Sequence, residues 1–230
     1  MESFRYEVHA HTAEVSRCGS IGARDAVRMY HDAGYQGMVI TDHFNESYFR
    51  KLGDIGWEEK IDRFLEGYRL AREEGDRLGM DILPGIEVRF REHHNEYLVY
   101  GLDEAFLKSH EDLYESGLRD FSGLIRDNEE ILLFQAHPYR MGCRPAEPEY
   151  LDGMEVYNGN PRHNSRNSKA AKTAGKHGLL RISGSDFHEV EDLAKGGIVS
   201  PERINTAADL VRVLKFLQND SLIVDGRPGA

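Results

Sequence analysis

Cysteine is scarce. The 230 residues hold only Cys18 and Cys143, too few for a disulfide scaffold in a chain of this size, and both are expected to be reduced thiols. No run of about 18 apolar residues occurs, so no transmembrane helix and no membrane partner are expected. The opening Met-Glu-Ser-Phe-Arg-Tyr-Glu lacks the basic and apolar regions of a secretory signal, which makes the cytoplasm the expected location. Positive charge is in the minority: 29 Lys and Arg against 40 Asp and Glu leave a net charge of −11. That balance opposes attraction to a phosphate backbone and makes nucleic acid an unlikely main partner. Linkers, internal repeats and low-complexity segments are also missing, so residues 1–230 read as one domain, a length that suits a single α/β barrel. Nothing in the composition speaks to the oligomeric state.

What is present begins with residues 6–12, Tyr-Glu-Val-His-Ala-His-Thr. On an extended strand, side chains two apart share a face, so His9 and His11 would project together, as two ligands of one ion must. Residues 23–34 carry Ala26, Met29, Tyr30 and Ala33 at helical spacing, with Gly34 as the stop. Residues 37–43 form an apolar run that ends in Asp42-His43. The same pattern returns at 81–87, ending in Glu87, and at 131–137, ending in His137. Further strands are read at 97–101, 153–158, 179–184 (running into Ser-Asp-Phe-His at 185–188) and 221–224. Helices are read at 57–78, 113–130, 161–177 and 206–217, and loops at 45–56 and 138–150.

Alternating strands and helices predict an α/β fold around a parallel sheet. The candidate ligands fall at the ends of five different strands, and a closed barrel brings such ends together at one face. His9, His11, Asp42, His43, Glu87, His137, Asp186 and His188 mix imidazoles with carboxylates, a set suited to Zn²⁺, Mn²⁺ or Fe²⁺.

These motifs, in this order, resemble the PHP family, the polymerase and histidinol phosphatase domain: His-Ala-His-Thr at 9–12, Thr-Asp-His at 41–43, Gly-Ile-Glu at 85–87, Ala-His-Pro at 136–138, Glu-Val-Tyr-Asn at 155–158 and Gly-Ser-Asp-Phe-His at 184–188. The resemblance implies a distorted (β/α)7 barrel, TIM-barrel-like, that holds two or three divalent transition-metal ions and hydrolyses a small phosphate ester. It also implies His9, His11, Glu87 and Asp186 as ligands of a first ion, with Glu87 bridging to a second held by His137. His43 and His188 would serve a third. The chain departs from the family pattern in two places. After the first motif stands Thr-Ala-Glu-Val-Ser-Arg-Cys-Gly, where Glu14 is the candidate third-site ligand. Before residue 97 stand His94, Asn95 and Glu96, where Glu96 is the favoured second-site ligand and His94 the alternative.

Clustered metals would supply a bridging hydroxide at neutral pH and neutralise phosphate oxygens. Asp186, Glu87 and His188 are the expected catalytic residues, and Arg140, Arg144, Arg162 and Arg166 are candidate phosphate contacts. Three other functions compete with this one: a PHP nuclease acting on nucleic acid, a metal-dependent amidohydrolase, and a non-catalytic metal-stabilised binding or regulatory module. The amidohydrolase reading lacks a lysine at the end of any candidate strand.

Overall fold

The computed structural model describes residues 3–228. The chain runs β1 (Phe4–Ala10), α1 (Ala23–Asp32), β2 (Gly37–Ile40), β3 (His43–Asn45), α2 (Glu46–Lys51), α3 (Trp57–Phe64), α4 (Glu66–Leu78), β4 (Asp81–Arg89) and β5 (Tyr97–Tyr100). It continues α5 (Glu104–Ser109), α6 (Leu118–Ile125), β6 (Leu132–Gln135), β7 (Gly153–Asn158), α7 (Asn167–His177), β8 (Leu180–Gly184), β9 (Ile198–Ser200) and α8 (Ala207–Phe216). The sheet order is β8-β7-β6-β5-β4-β2-β1-β9, with β3 also pairing with β4. A parallel bridge from Ala10 of β1 to Phe187, just past β8, brings β8 round against β1 to form a nearly closed barrel, with β9 flanking β1.

The expected all-parallel arrangement fails at β5, which runs antiparallel to both β4 and β6. Residues 90–96 are too short for the crossover a parallel pair needs, so the chain turns back directly. β9 also runs antiparallel, against β1; elsewhere the βαβ pattern holds. In β2, Val39 joins the main core, while Met38 and Ile40 pack with Ala26, Val27 and Tyr30 of α1, the alternation expected of a strand covered on both faces.

Several element boundaries differ from expectation. Residues 45–56 are not all loop, because the Asn45 side chain accepts from the Tyr48 amide and starts α2. The single helix read over 57–78 is split at Leu65 into α3 and α4. The helix read over 113–130 is a short 3-10 turn and then α6, while α5, capped by Asp103, precedes both. Of the last expected strand, Leu222 bridges Ile198 of β9 and Ile223–Val224 forms a small hairpin with Arg227–Pro228. No helix of the described residues is long and apolar enough to cross a membrane.

Candidate metal centre

The parallel strands deliver candidate ligands from their C-terminal ends: His9 and His11 from β1, His137 from β6, Asp186 and His188 from β8. His43 opens β3 in register with Glu87 of β4. Because β5 is reversed, its beginning lies at this same end of the barrel, which brings Glu96 to the cluster from in front of its strand. Four overlapping groups result: His9, His11 and Glu87; His9, His137 and Asp186; His43, Glu87 and Glu96; and His11, His43 and His188. Within each, the ligand atoms lie within 4.8 Å of one another.

Glu87 stands in the middle of four imidazoles. Its Oε1 is 3.2 Å from His9 Nε2 and 3.1 Å from His137 Nε2. Its Oε2 is 2.8 Å from His43 Nδ1 and 3.5 Å from His11 Nε2. Asp186 Oδ1 is 3.4 Å from both His9 Nε2 and His11 Nε2. Glu96 Oε2 is 3.5 Å from His137 Nε2, whereas His94 is exposed and lines a neighbouring cleft.

The fit to cations can be tested on these atoms. His9 Nε2, His11 Nε2, His43 Nδ1 and Glu87 Oε2 are buried, and although they crowd neighbouring imidazole and carboxylate atoms at 2.8 to 3.5 Å, none of these contacts has hydrogen-bond geometry among the described residues. Buried polar atoms left this way are costly and rare. Several such nitrogens and oxygens facing a shared space match the donor set of divalent metal ions. Two of these candidate ligands also sit on left-handed backbone, His137 at φ 26° and Asp186 at φ 52°, and such strain persists where the surrounding structure enforces it.

The electrostatics agree with this picture. Burial opposes ionisation of Glu87, yet His9 and His43 hold its carboxyl well below the usual range. Asp186 is likewise held low against burial, by His9 and Arg140. Burial alone would lower His9, but Glu155, Asp186 and Glu87 raise it well above an ordinary imidazole. His11 is pulled the other way by burial, His188 and His43.

Residues around the cluster fix its orientation. Glu155 Oε1 is 2.8 Å from His9 Nδ1 and its Oε2 accepts from the His137 amide, so Nε2 of His9 is the nitrogen left facing the cluster. Asp42 is not among the ligand groups. It accepts from the Thr12 amide, Thr12 Oγ1 and Ser16 Oγ, and so pins the loop that follows His11. Glycine at position 67 permits this packing, since a Cβ there would run into Thr12 Oγ1 and Asp42 Oδ2. Sequence reasoning gives no role to Glu155, Ser16 or Cys18. Glu155 lies in a motif already singled out, and its position on β7, facing His9 across the barrel, is visible only in the fold.

Glu14 does not join the cluster, contrary to expectation. It is exposed, and its carboxylate accepts from the Ala23 amide at 3.1 and 3.0 Å, at the start of α1. Gly22 at the cap position offers no side-chain acceptor, so an acidic group from outside the helix satisfies the free amide and the positive helix end. Glu14→Ala is therefore expected to lower stability by about 1 kcal/mol and to leave the metal content unchanged, which denaturant melts and elemental analysis would check.

Above the cluster opens a cleft of ≈ 280 Å³, whose far wall carries Arg140, Asn160, Arg162 and His163. Arg140 pairs with Asp186 and donates to Asn158 Oδ1, while its Nε is buried without a partner among the described residues. Arg162 is engaged by Glu189 and Asp192. Arg144 reaches His93 at the edge of a different cleft, and Arg166 is exposed where α7 begins.

A comparison with curated proteins finds no match. A family model described as PHP-associated matches residues 164–218, which include Asp186 and His188. Among solved structures, the chain is similar to a two-domain protein from Bacteroides vulgatus whose description names a predicted PHP-like metal-dependent phosphoesterase. The TM-score is 0.63 at 16% identity, over 93% of this chain and 63% of that one, so the chain spans less than two thirds of that protein. PsfC from Pseudomonas syringae is similar at TM-score 0.64 and 16% identity, over 92% of this chain and 88% of the other. The lesion-specific endonuclease PfuEndoQ from Pyrococcus furiosus is similar at TM-score 0.62 and 12% identity, over 96% and 58%. The family-model match covers residues 164–218 alone, and the structural likenesses, at 12 to 16% identity, show that the barrel fold is shared.

Proposed function

We propose that the chain is a metal-dependent phosphoesterase that hydrolyses a small phosphate ester, with His9, His11, His43, Glu87, Glu96, His137, Asp186 and His188 holding two or three divalent ions. The observation that carries this reading is the convergence of orphaned, buried imidazole nitrogens and carboxylates on one cleft. Bound there, divalent ions would acidify water and neutralise phosphate oxygens. The chain's own residues would do the rest. Arg140, with its planar donor fork on the cleft wall, would hold phosphate oxygens. Asp186 is held in its ionised form by His9 and Arg140 and so is a hydrogen-bond acceptor rather than a proton donor, which suits it to orienting the attacking water. An endonuclease is the second reading, prompted by the likeness to PfuEndoQ. The test is a panel of phosphomonoesters, phosphodiesters and DNA oligonucleotides, assayed after reconstitution with Mn²⁺, Zn²⁺ or Fe²⁺. Turnover of small esters supports the proposal, cleavage of DNA alone would move it to the nuclease, and bound metal without any turnover would leave a binding module.

Metal uptake should expel protons. In the metal-free chain His9 is held well above its ordinary range, and His137, despite burial and Arg140, is pushed up to about 10 by Cys143 and Glu87. Both imidazoles then carry protons at neutral pH where a ligating nitrogen must be bare. Because these sites already hold protons at neutral pH, each ion must displace them, and metal binding weakens as pH falls by about tenfold per pH unit for each proton displaced. Calorimetric titrations in buffers of different ionisation enthalpy would count them, and a pH-independent affinity would contradict the expectation.

A further inference from the structure

We propose that Cys18 is a thiolate ligand of the ion held by His11, His43 and His188, in the place sequence reasoning gives to Glu14. The inference rests on the metal-dependent reading above. Three imidazoles already converge there, with the His11 ring centroid 4.3 Å from that of His43 and 4.2 Å from that of His188. His11 is 1% exposed and its Nε2 has no hydrogen-bond partner among the described residues. Three ring nitrogens leave a tetrahedral ion one ligand short. Glu14 is committed to the start of α1, and Glu96 approaches His43 from its Nδ1 side. The atom beside His43 Nε2 is Cys18 Sγ, at 3.1 Å.

Typical zinc–sulfur and zinc–nitrogen bond lengths put two such ligands of one tetrahedral ion roughly 3.6 Å apart. The observed separation is close enough that an ion could enter between them with a movement of about half an ångström. The loop holds the thiol in place: the Gly19 amide donates to Ser16 O at 2.8 Å and the Ser20 amide to His188 O at 2.9 Å. Ser16 Oγ in turn donates to Asp42 and accepts from the His43 amide. On binding, the thiol loses its proton to solvent and sulfur donates to the metal. A thiolate favours Zn²⁺, Fe²⁺ or Co²⁺ over Mn²⁺ at this position.

The test uses Cys143→Ser protein, in which Cys18 is the only thiol. After metal removal it is titrated with Co²⁺. A thiolate-to-cobalt charge-transfer band in the near ultraviolet should grow and saturate, and Zn²⁺ should slow alkylation of Cys18 by iodoacetamide more than about tenfold. Adding Cys18→Ser should remove the band and one ion per chain while leaving the circular dichroism unchanged. Cobalt bound without the band, and alkylation unaffected by zinc, would overturn the assignment and leave the rest of the metal centre standing. Failure to bind any metal would overturn both readings. The alkylation measurement needs no change at position 18, so it holds even if the double variant misfolds.

Discussion

Replacing Glu87 with alanine is expected to empty more than one metal position at once and to lower phosphoesterase turnover by at least about 10³-fold, beyond the loss of a single electrostatic stabiliser. The reason is its position: one carboxylate approaches His9, His137, His43 and His11, and no other carboxylate among the described residues touches all four. Asp186 reaches His9 and His11, and Glu96 reaches His43 and His137, so each could hold part of the set but neither could link it. The metal-free protein should suffer too, because removing one member of a buried charged group leaves the others uncompensated. The folded-state pKa of Glu87 is depressed, so its stabilising contribution is present at neutral pH and lost as pH falls through that depressed value. The stability gap between wild type and Glu87→Ala should therefore be widest near neutrality and close on acidification. Elemental analysis and denaturant melts at two pH values would check this. Full metal content with activity within tenfold of wild type would remove Glu87 from the centre.

How much of this is legible in the sequence depends on whether chemistry and periodicity coincide. His9, His11, His137, Asp186 and His188 can be read because each ends an apolar run, and a parallel strand in a barrel aims its C-terminal end at the site. Glu96 can be placed only by register, since it stands before its strand. That position makes sense once the short 90–96 connection is seen to reverse β5. Glu14 misleads for a local reason. A carboxylate in a gap of the ligand pattern resembles a ligand, but the bare helix start at Gly22 competes for it, and this capping is decided by a contact nine residues away in sequence. Cys18 stands in the same loop and reads as an ordinary reduced thiol, because nothing in one dimension brings residue 18 to residue 43. Glu155 shows the same limit: its motif is visible, but its role in orienting His9 follows from β7 and β1 facing each other across a barrel that the strand pattern implies without a register. The helices are the least legible, since α2, α3 and α5 are short and set by caps and breaks within otherwise continuous apolar patterning.

Gly184→Ala is expected to damage the metal centre from beneath, through the barrel seam. A Cβ at this last residue of β8 would overlap His9 Cβ and stand 2.9 Å from Glu155 Oε1. The Glu155 oxygen ends a side chain, but His9 Cβ is fixed by the β1 backbone, so the clash cannot be relieved by a rotamer change. Ordinary contact begins near 3.4 Å, and β8 must therefore withdraw from β1 by about 1 Å. That seam is held by the Phe187 amide on His9 O at 3.2 Å and the His11 amide on Phe187 O at 3.0 Å, the bonds that bring Asp186 within 3.4 Å of both imidazoles. Overpacking of this kind costs about 1 to 3 kcal/mol. A displacement of ligands by about 1 Å can cost about 100-fold in rate even with every side chain present. Gly123→Ala supplies the control: position 123 lies in α6 with nothing within 4 Å of where a Cβ would stand, so it should leave metal content and turnover alone and, through helix propensity, stabilise slightly. If Gly184→Ala keeps full metal content and wild-type turnover, the close approach of β8 to β1 is incidental and His9 is positioned by Glu155 alone.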